Sequence, residues 1–156
     1  MRHDFRAIEE KWQKKWEEAK VFEATDDFDK KKFYALVEFP YPSGAGMHVG
    51  HIKAYSGMEV ICRKKRMEGY NVLFPIGFDA YGLPTENYAI KTGIHPRQVT
   101  DQNIAKFTSQ LKKVGFSFDW SRVNDTTTED YYRWTQWIFL KMFEKGLVFR
   151  RRRTGS

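Results

Sequence analysis

The 156-residue chain is 41% hydrophobic and 17% aromatic, enough apolar content for one packed core and too much for a disordered segment. Its net charge of +7 favours polyanionic partners such as nucleotides or RNA, although four positive charges are crowded into Arg150–Arg153. A lone cysteine, Cys62, leaves no internal disulfide and no cysteine-based metal cage, and neither a membrane-spanning apolar run nor a signal-peptide core is present, so a cytoplasmic setting is expected.

Asp4 is placed to cap a helix running to about Ala19, with Phe5, Ile8, Trp12 and Trp16 on one stripe that should dock on the rest of the molecule. Acidic, turn-prone residues 25–32 precede Phe33–Phe39, whose nearly continuous apolar run predicts a strand covered on both faces. The run from Phe39 to His51 reads as a strand end, a glycine-punctuated turn, and a helix beginning near Met47 or His48. That helix should run to about Met67, with Gly69 as its stop, and Asn71–Ile76 reads as the next strand. Strand, helix, strand in that order implies a right-handed crossover and a parallel sheet, with nucleotide sites at the carboxyl ends of the strands.

Thr100 is expected to cap a helix through Ile104, Phe107, Leu111 and Val114, ended by Gly115. Thr126 and Glu129 form a capping-box pattern ahead of a helix through Tyr132, Trp134, Trp137, Ile138, Met142 and Phe143, ended by Gly146. Its wide apolar arc predicts burial. The expected fold class is α/β, a Rossmann-like parallel sheet with flanking helices. One domain should occupy residues 1–149, followed by a basic, disordered tail over 150–156. Lys30–Lys32 and Arg63–Arg66 read as solvated charged faces.

The turn carries the chemistry. Gly44 and Gly46 permit close approach of backbone amides to phosphates, and the helix start adds a positive dipole end. His48 and His51, three residues apart, share one face of the first helical turn. Two such imidazoles can donate to phosphate oxygens whose charge builds as phosphorus is attacked. Gly50 leaves a flat patch where a purine or ribose could pack. The bland alternative is a turn followed by structural histidines. No metal site is read from the pair, and neither a Walker loop nor a dinucleotide fingerprint is present. A second constellation, Gly77–Asn87, follows the second strand. There Asp79 either pairs with a substrate ammonium beside Phe39 and Tyr41 or merely caps the turn.

These blocks resemble the leucyl branch of the class I aminoacyl-tRNA synthetases. His48–Val49–Gly50–His51 matches that family's HIGH motif, and Phe39–Gly44 (FPYPSG) matches the leucyl approach to it. GFDAYGLPTEN (Gly77–Asn87) is similar to the leucyl GWDAFGLPAEN, whereas isoleucyl and valyl relatives more often carry Cys or Thr then His after the Asp. DWSR (Asp119–Arg122), Tyr131–Leu147 and IEEKWQKKW (Ile8–Trp16) extend the likeness from about Asp4 to Phe149.

The resemblance implies the first half of a synthetase catalytic domain. There the leucine carboxylate attacks the α-phosphate of ATP, with Mg2+ as helper, and leucine then passes to tRNA(Leu). It implies His48 and His51 as catalytic residues. It places Ser43, Gly44, Gly46, His48, Gly50 and His51 on the ATP, and Phe39 (through its carbonyl), Pro40, Tyr41 and Asp79 on the leucine. The family's zinc module, editing domain and KMSKS loop have no counterpart in this sequence. Weak turnover, no zinc site and self-association through an uncovered apolar face are therefore expected. Two other readings stay open: a non-enzymatic ATP- or RNA-binding module, and a cytidylyltransferase-like enzyme, which shares the HxGH chemistry.

Overall fold

The computed structural model describes residues 3–42 and 46–151. Its elements in chain order are α1 (Phe5–Glu18), β1 (Lys32–Tyr34), α2 (Val49–Met67), β2 (Asn71–Leu73), β3 (Gly77–Phe78), α3 (Leu83–Thr92), α4 (Pro96–Val114), β4 (Asn124–Asp125) and α5 (Glu129–Glu144). β1 pairs in parallel with β2, with Phe33 opposite Val72, and β3 pairs in parallel with β4, with Gly77 opposite Asn124. The two ladders share one extended segment. Between them Phe74 and Ile76 accept the Asp119 and Asn124 N–H groups, while beyond β3 the Asp79 N–H reaches the Pro40 carbonyl. Residues 71–79 thus run between 32–40 on one side and 119–126 on the other, a Rossmann-like α/β arrangement with strand, helix and parallel strand in order.

The core lies where α2 and α4 meet this segment. Tyr55 and Cys62 of α2 and Leu111 of α4 bury against Val72, Phe74, Ile76, Phe116 and Phe118. A smaller cluster of Phe78, Ala80 and Phe107 is packed against Met47, just ahead of α2, and Ile104 of α4. Cys62 is fully buried, and burial pushes its thiol up to about 11, which leaves it inert at neutral pH.

Several expectations need correction. The ladder at β1 spans three residues, and Tyr34 and Leu36 are each 61% exposed, so this strand is not covered on both faces. α1 is capped by Asp4, which accepts the Ala7 N–H at 3.1 Å, but Phe5, Ile8 and Trp12 are exposed. The helix docks instead through Gln13, which donates to the Lys113 carbonyl at 3.0 Å, Glu17 paired with Lys112, and Trp16 against Phe22 and the Arg63 guanidinium. α4 begins at Pro96 behind an N-cap His95, one turn before Thr100, which is buried inside the helix. Thr126 does not cap α5: its hydroxyl accepts the Ala80 and Tyr81 N–H groups, and Thr128 takes the N-cap position. α5 itself buries no residue, because nothing among the described residues covers its outer face.

Candidate active site

His48 is the N-cap of α2, and its ring does a capping residue's work. Its Nδ1 accepts the Gly50 N–H at 3.1 Å, while the His51 Nδ1 accepts the His48 N–H at 3.4 Å. The two rings stack at 3.8 Å between centroids. With each Nδ1 engaged as an acceptor, the neutral imidazoles carry their proton on Nε2, so both present a donor away from the backbone. Burial, and then the neighbouring His48, hold the His51 pKa below the ordinary histidine value, while Glu38 pulls the other way. Gly50 serves His48 as well as any incoming ring: a Cβ there would lie 2.9 Å from the imidazole.

The turn ahead of the helix is held by α4. Asn103 donates to the Pro42 carbonyl at 2.6 Å, and the Gln110 carboxamide oxygen accepts the Met47 N–H at 2.9 Å. A Cβ on Gly46 would meet that carboxamide at 2.8 Å, so glycine is needed there for the brace to close. Ser43 and Gly44 lie outside the described residues.

The chain from Glu38 to Tyr41 is a wall with a cavity on each side. One cavity, about 770 Å³, reaches along α2 and is lined by His48, Gly50, His51 and Tyr55 together with Leu36–Tyr41. The other, about 540 Å³, is lined by Glu38, Phe39, Tyr41, Asp79, Tyr81 and Thr126, and is closed by Tyr131, Tyr132, Thr135 and Gln136 from the start of α5. Asp79 is half-buried, and among the described residues its carboxylate has no hydrogen-bond partner, so it does not spend its charge on capping the turn. Its N–H is fixed by the Pro40 carbonyl at 3.1 Å. Phe39 is seated by Gly77, where a Cβ would come within 2.4 Å of its ring.

The structure therefore gathers His48, Gly50 and His51 in one cavity and Asp79 in the other, with Phe39 and Tyr41 facing both. Pro40 is buried in the wall on the α2 side. Sequence reasoning missed Glu38, whose residue lines both cavities, and the aromatic and amide side chains of α5. The signal for Glu38 was its charge within an otherwise apolar run; α5 was legible as a helix and as part of the leucyl-like block, but nothing in that pattern tied its first turns to the site. Among the described residues no group of three His, Cys, Asp or Glu side chains could hold a metal ion, and no helix is long and apolar enough to cross a membrane.

A family model described as tRNA synthetases class I (M) matches residues 34–156. A leucine–tRNA ligase of Alkaliphilus oremlandii is 63% identical over 144 residues, covering 92% of this chain and 18% of that protein. One of Chlorobaculum parvum is 53% identical over 149 residues, with 96% and 18% covered. The ternary complex of Agrobacterium radiobacter LeuRS with tRNA and LeuAMS superposes with a TM-score of 0.88 at 37% identity, over 96% of this chain and 19% of that one. Methionyl-tRNA synthetase of Mycobacterium tuberculosis, in complex with methionyl-adenylate, gives 0.66 at 29% identity over 74% of this chain and 22% of that one. The chain thus spans less than a fifth of the length of the leucine–tRNA ligases that it matches.

Proposed function

The chain belongs to the class I tRNA synthetases, and from that premise we propose that it carries the HIGH-motif half of a leucine-activating site. In this reading ATP lies in the α2 cavity and leucine in the Asp79 cavity, and the leucine carboxylate meets the α-phosphate at the rim of the wall between them. The observation that carries it is this wall, Glu38–Tyr41, with two histidine donors on one side and, on the other, a carboxylate that has no partner among the described residues.

Each group then has a task that its surroundings suit. Asp79 holds the leucine ammonium, assisted by the Phe39 carbonyl, and Pro40 keeps Asp79 in place through its backbone. Phe39 and Tyr41 supply apolar surface for the side chain. His48 and His51 donate from Nε2 to phosphate oxygens as charge accumulates on them. The substrate carboxylate is the nucleophile, so the protein has only to position and neutralise. Gly50 leaves space for ATP beside His48 and Gly46 lets the turn close against α4, while the assignment of Ser43, Gly44 and Gly46 to ATP rests on the resemblance to the family. Mg2+, when bound, would supply neutralisation of phosphate charge. Transfer to tRNA(Leu) is the task of the full-length enzyme, and a cytoplasmic location suits it.

Calorimetric binding tests the assignment. Leucine should bind ahead of isoleucine, valine and methionine, and ATP ahead of CTP. Asp79→Asn should weaken leucine at least about tenfold while leaving ATP, and His48→Ala with His51→Ala should do the reverse. A preference for CTP, or no discrimination in favour of leucine, would overturn it.

A further inference from the structure

Tyr55 is the one residue of α2 that reaches across to the wall between the two cavities through a hydrogen bond among the described residues. Its ring is 2% exposed, edge-on to Phe116 at 6.0 Å and to Phe118 at 5.8 Å, and one helical turn beyond His51. Its hydroxyl leaves this apolar setting to donate to the Glu38 carbonyl at 2.8 Å. Packing alone would be satisfied by phenylalanine, since the ring makes every apolar contact. The hydroxyl adds a tie between the helix that bears His48 and His51 and the first residue of the wall that bears Phe39 and Tyr41.

We propose that Tyr55 is a positioning residue whose hydroxyl fixes the distance between the nucleotide half-site and the amino-acid half-site. The inference rests on the reading of the two cavities given above. Neither substrate alone is sensitive to that distance, because each lies on one side of the wall. A ligand that occupies both sides is sensitive to it: its affinity is set by the effective concentration of one half at the other's site, which falls when the spacing loosens. The same holds for the reaction, where carboxylate and phosphorus must be held in near-attack geometry. Burial and the charge of Glu38 push the Tyr55 phenol up to about 12, so the tie keeps its proton over the whole working range of pH.

The test compares Tyr55→Phe with the unaltered 156-residue chain by calorimetry with leucine, ATP and a non-hydrolysable leucyl-adenylate analogue, after thermal unfolding has established that the variant is folded. Tyr55→Phe should bind leucine and ATP within about twofold of the original and the joined analogue about tenfold more weakly. Equal weakening of all three, or of none, would overturn the positioning role while leaving the two-cavity reading intact. If the unaltered chain binds neither leucine nor ATP, that reading fails and the inference falls with it. Phe118→Leu loosens the packing beside the Tyr55 ring but keeps the hydroxyl. It should lower Tm without changing the ratio of analogue to single-ligand affinity, and a selective loss there would assign the effect to packing and overturn the proposal.

Discussion

His48 and His51 each commit one ring nitrogen to the start of α2, and what remains for chemistry is the opposite nitrogen of each. The HIGH-type spacing was readable in the sequence, but the tautomers were not, because they depend on how the helix end is capped. The lowered His51 pKa has a definite consequence. Near pH 7.5 the ring is neutral, and phosphates placed against it favour the charged form, so ATP binding should take up a proton. ATP affinity should then rise as pH falls from about 8 toward 6, by at most about tenfold per unit, and level off below the pKa of the unbound ring. Calorimetry in two buffers of different ionisation enthalpy checks this. His51→Gln should reduce the uptake, and proton release by the original chain would contradict it. Gly77 makes a second prediction. Its missing Cβ is the seat of the Phe39 ring and lies against the Asn124 carbonyl. Gly77→Ala should cost about 1–3 kcal/mol by overpacking and weaken leucine more than ATP, read by chemical denaturation and calorimetry.

Among the elements, α4 shows how position in the fold decides function. Its sequence read as an amphipathic core helix, which Phe107 and Leu111 confirm. Nothing in that pattern revealed that Asn103 and Gln110, seven residues apart, hold the two flanks of the glycine turn. Such side chains bond to backbone that is distant in sequence, and local periodicity does not report them. Asn103→Ala and Gln110→Ala should each cost about 1 kcal/mol in denaturant unfolding, the loss of a hydrogen bond to a half-buried backbone group. Together they should weaken ATP more than leucine, because the turn leads into the α2 cavity. α3 escaped the sequence reading for another reason. Gly77–Asn87 looks like a long turn, and only Pro84 in the first helical turn and the left-handed Gly93 at its end mark a helix there. β1 was legible as a strand but not as an open edge, since exposure depends on what pairs beside it.

For the molecule as a whole, the clearest mismatch between composition and structure is α5. Trp134, Trp137, Phe139, Leu140 and Phe143 are each more than half exposed, on a helix that the sequence predicted to be buried. The prediction was sound as a statement about apolar surface, but such surface is buried only if another part of the protein covers it. The leucine–tRNA ligases that it matches are more than five times as long, so the corresponding stretch of those proteins has far more polypeptide to meet. An exposed apolar face of this kind should make the 156-residue chain self-associate, with a sedimentation coefficient that rises with concentration and falls when Trp134 and Trp137 are replaced by lysine. A concentration-independent monomer would contradict this. If the Glu38–Tyr41 wall separates an amino-acid half-site from a nucleotide half-site, as proposed, separate NMR titrations of the labelled chain with leucine and with ATP will perturb different residues. Leucine should move the resonances of Phe39, Tyr41, Asp79 and Tyr81 and leave the His48 and His51 ring protons in place. ATP should move the two histidines and Gly50 and leave Asp79. Shifts from both ligands on the same side of the wall, or on neither, would rule out two separate half-sites.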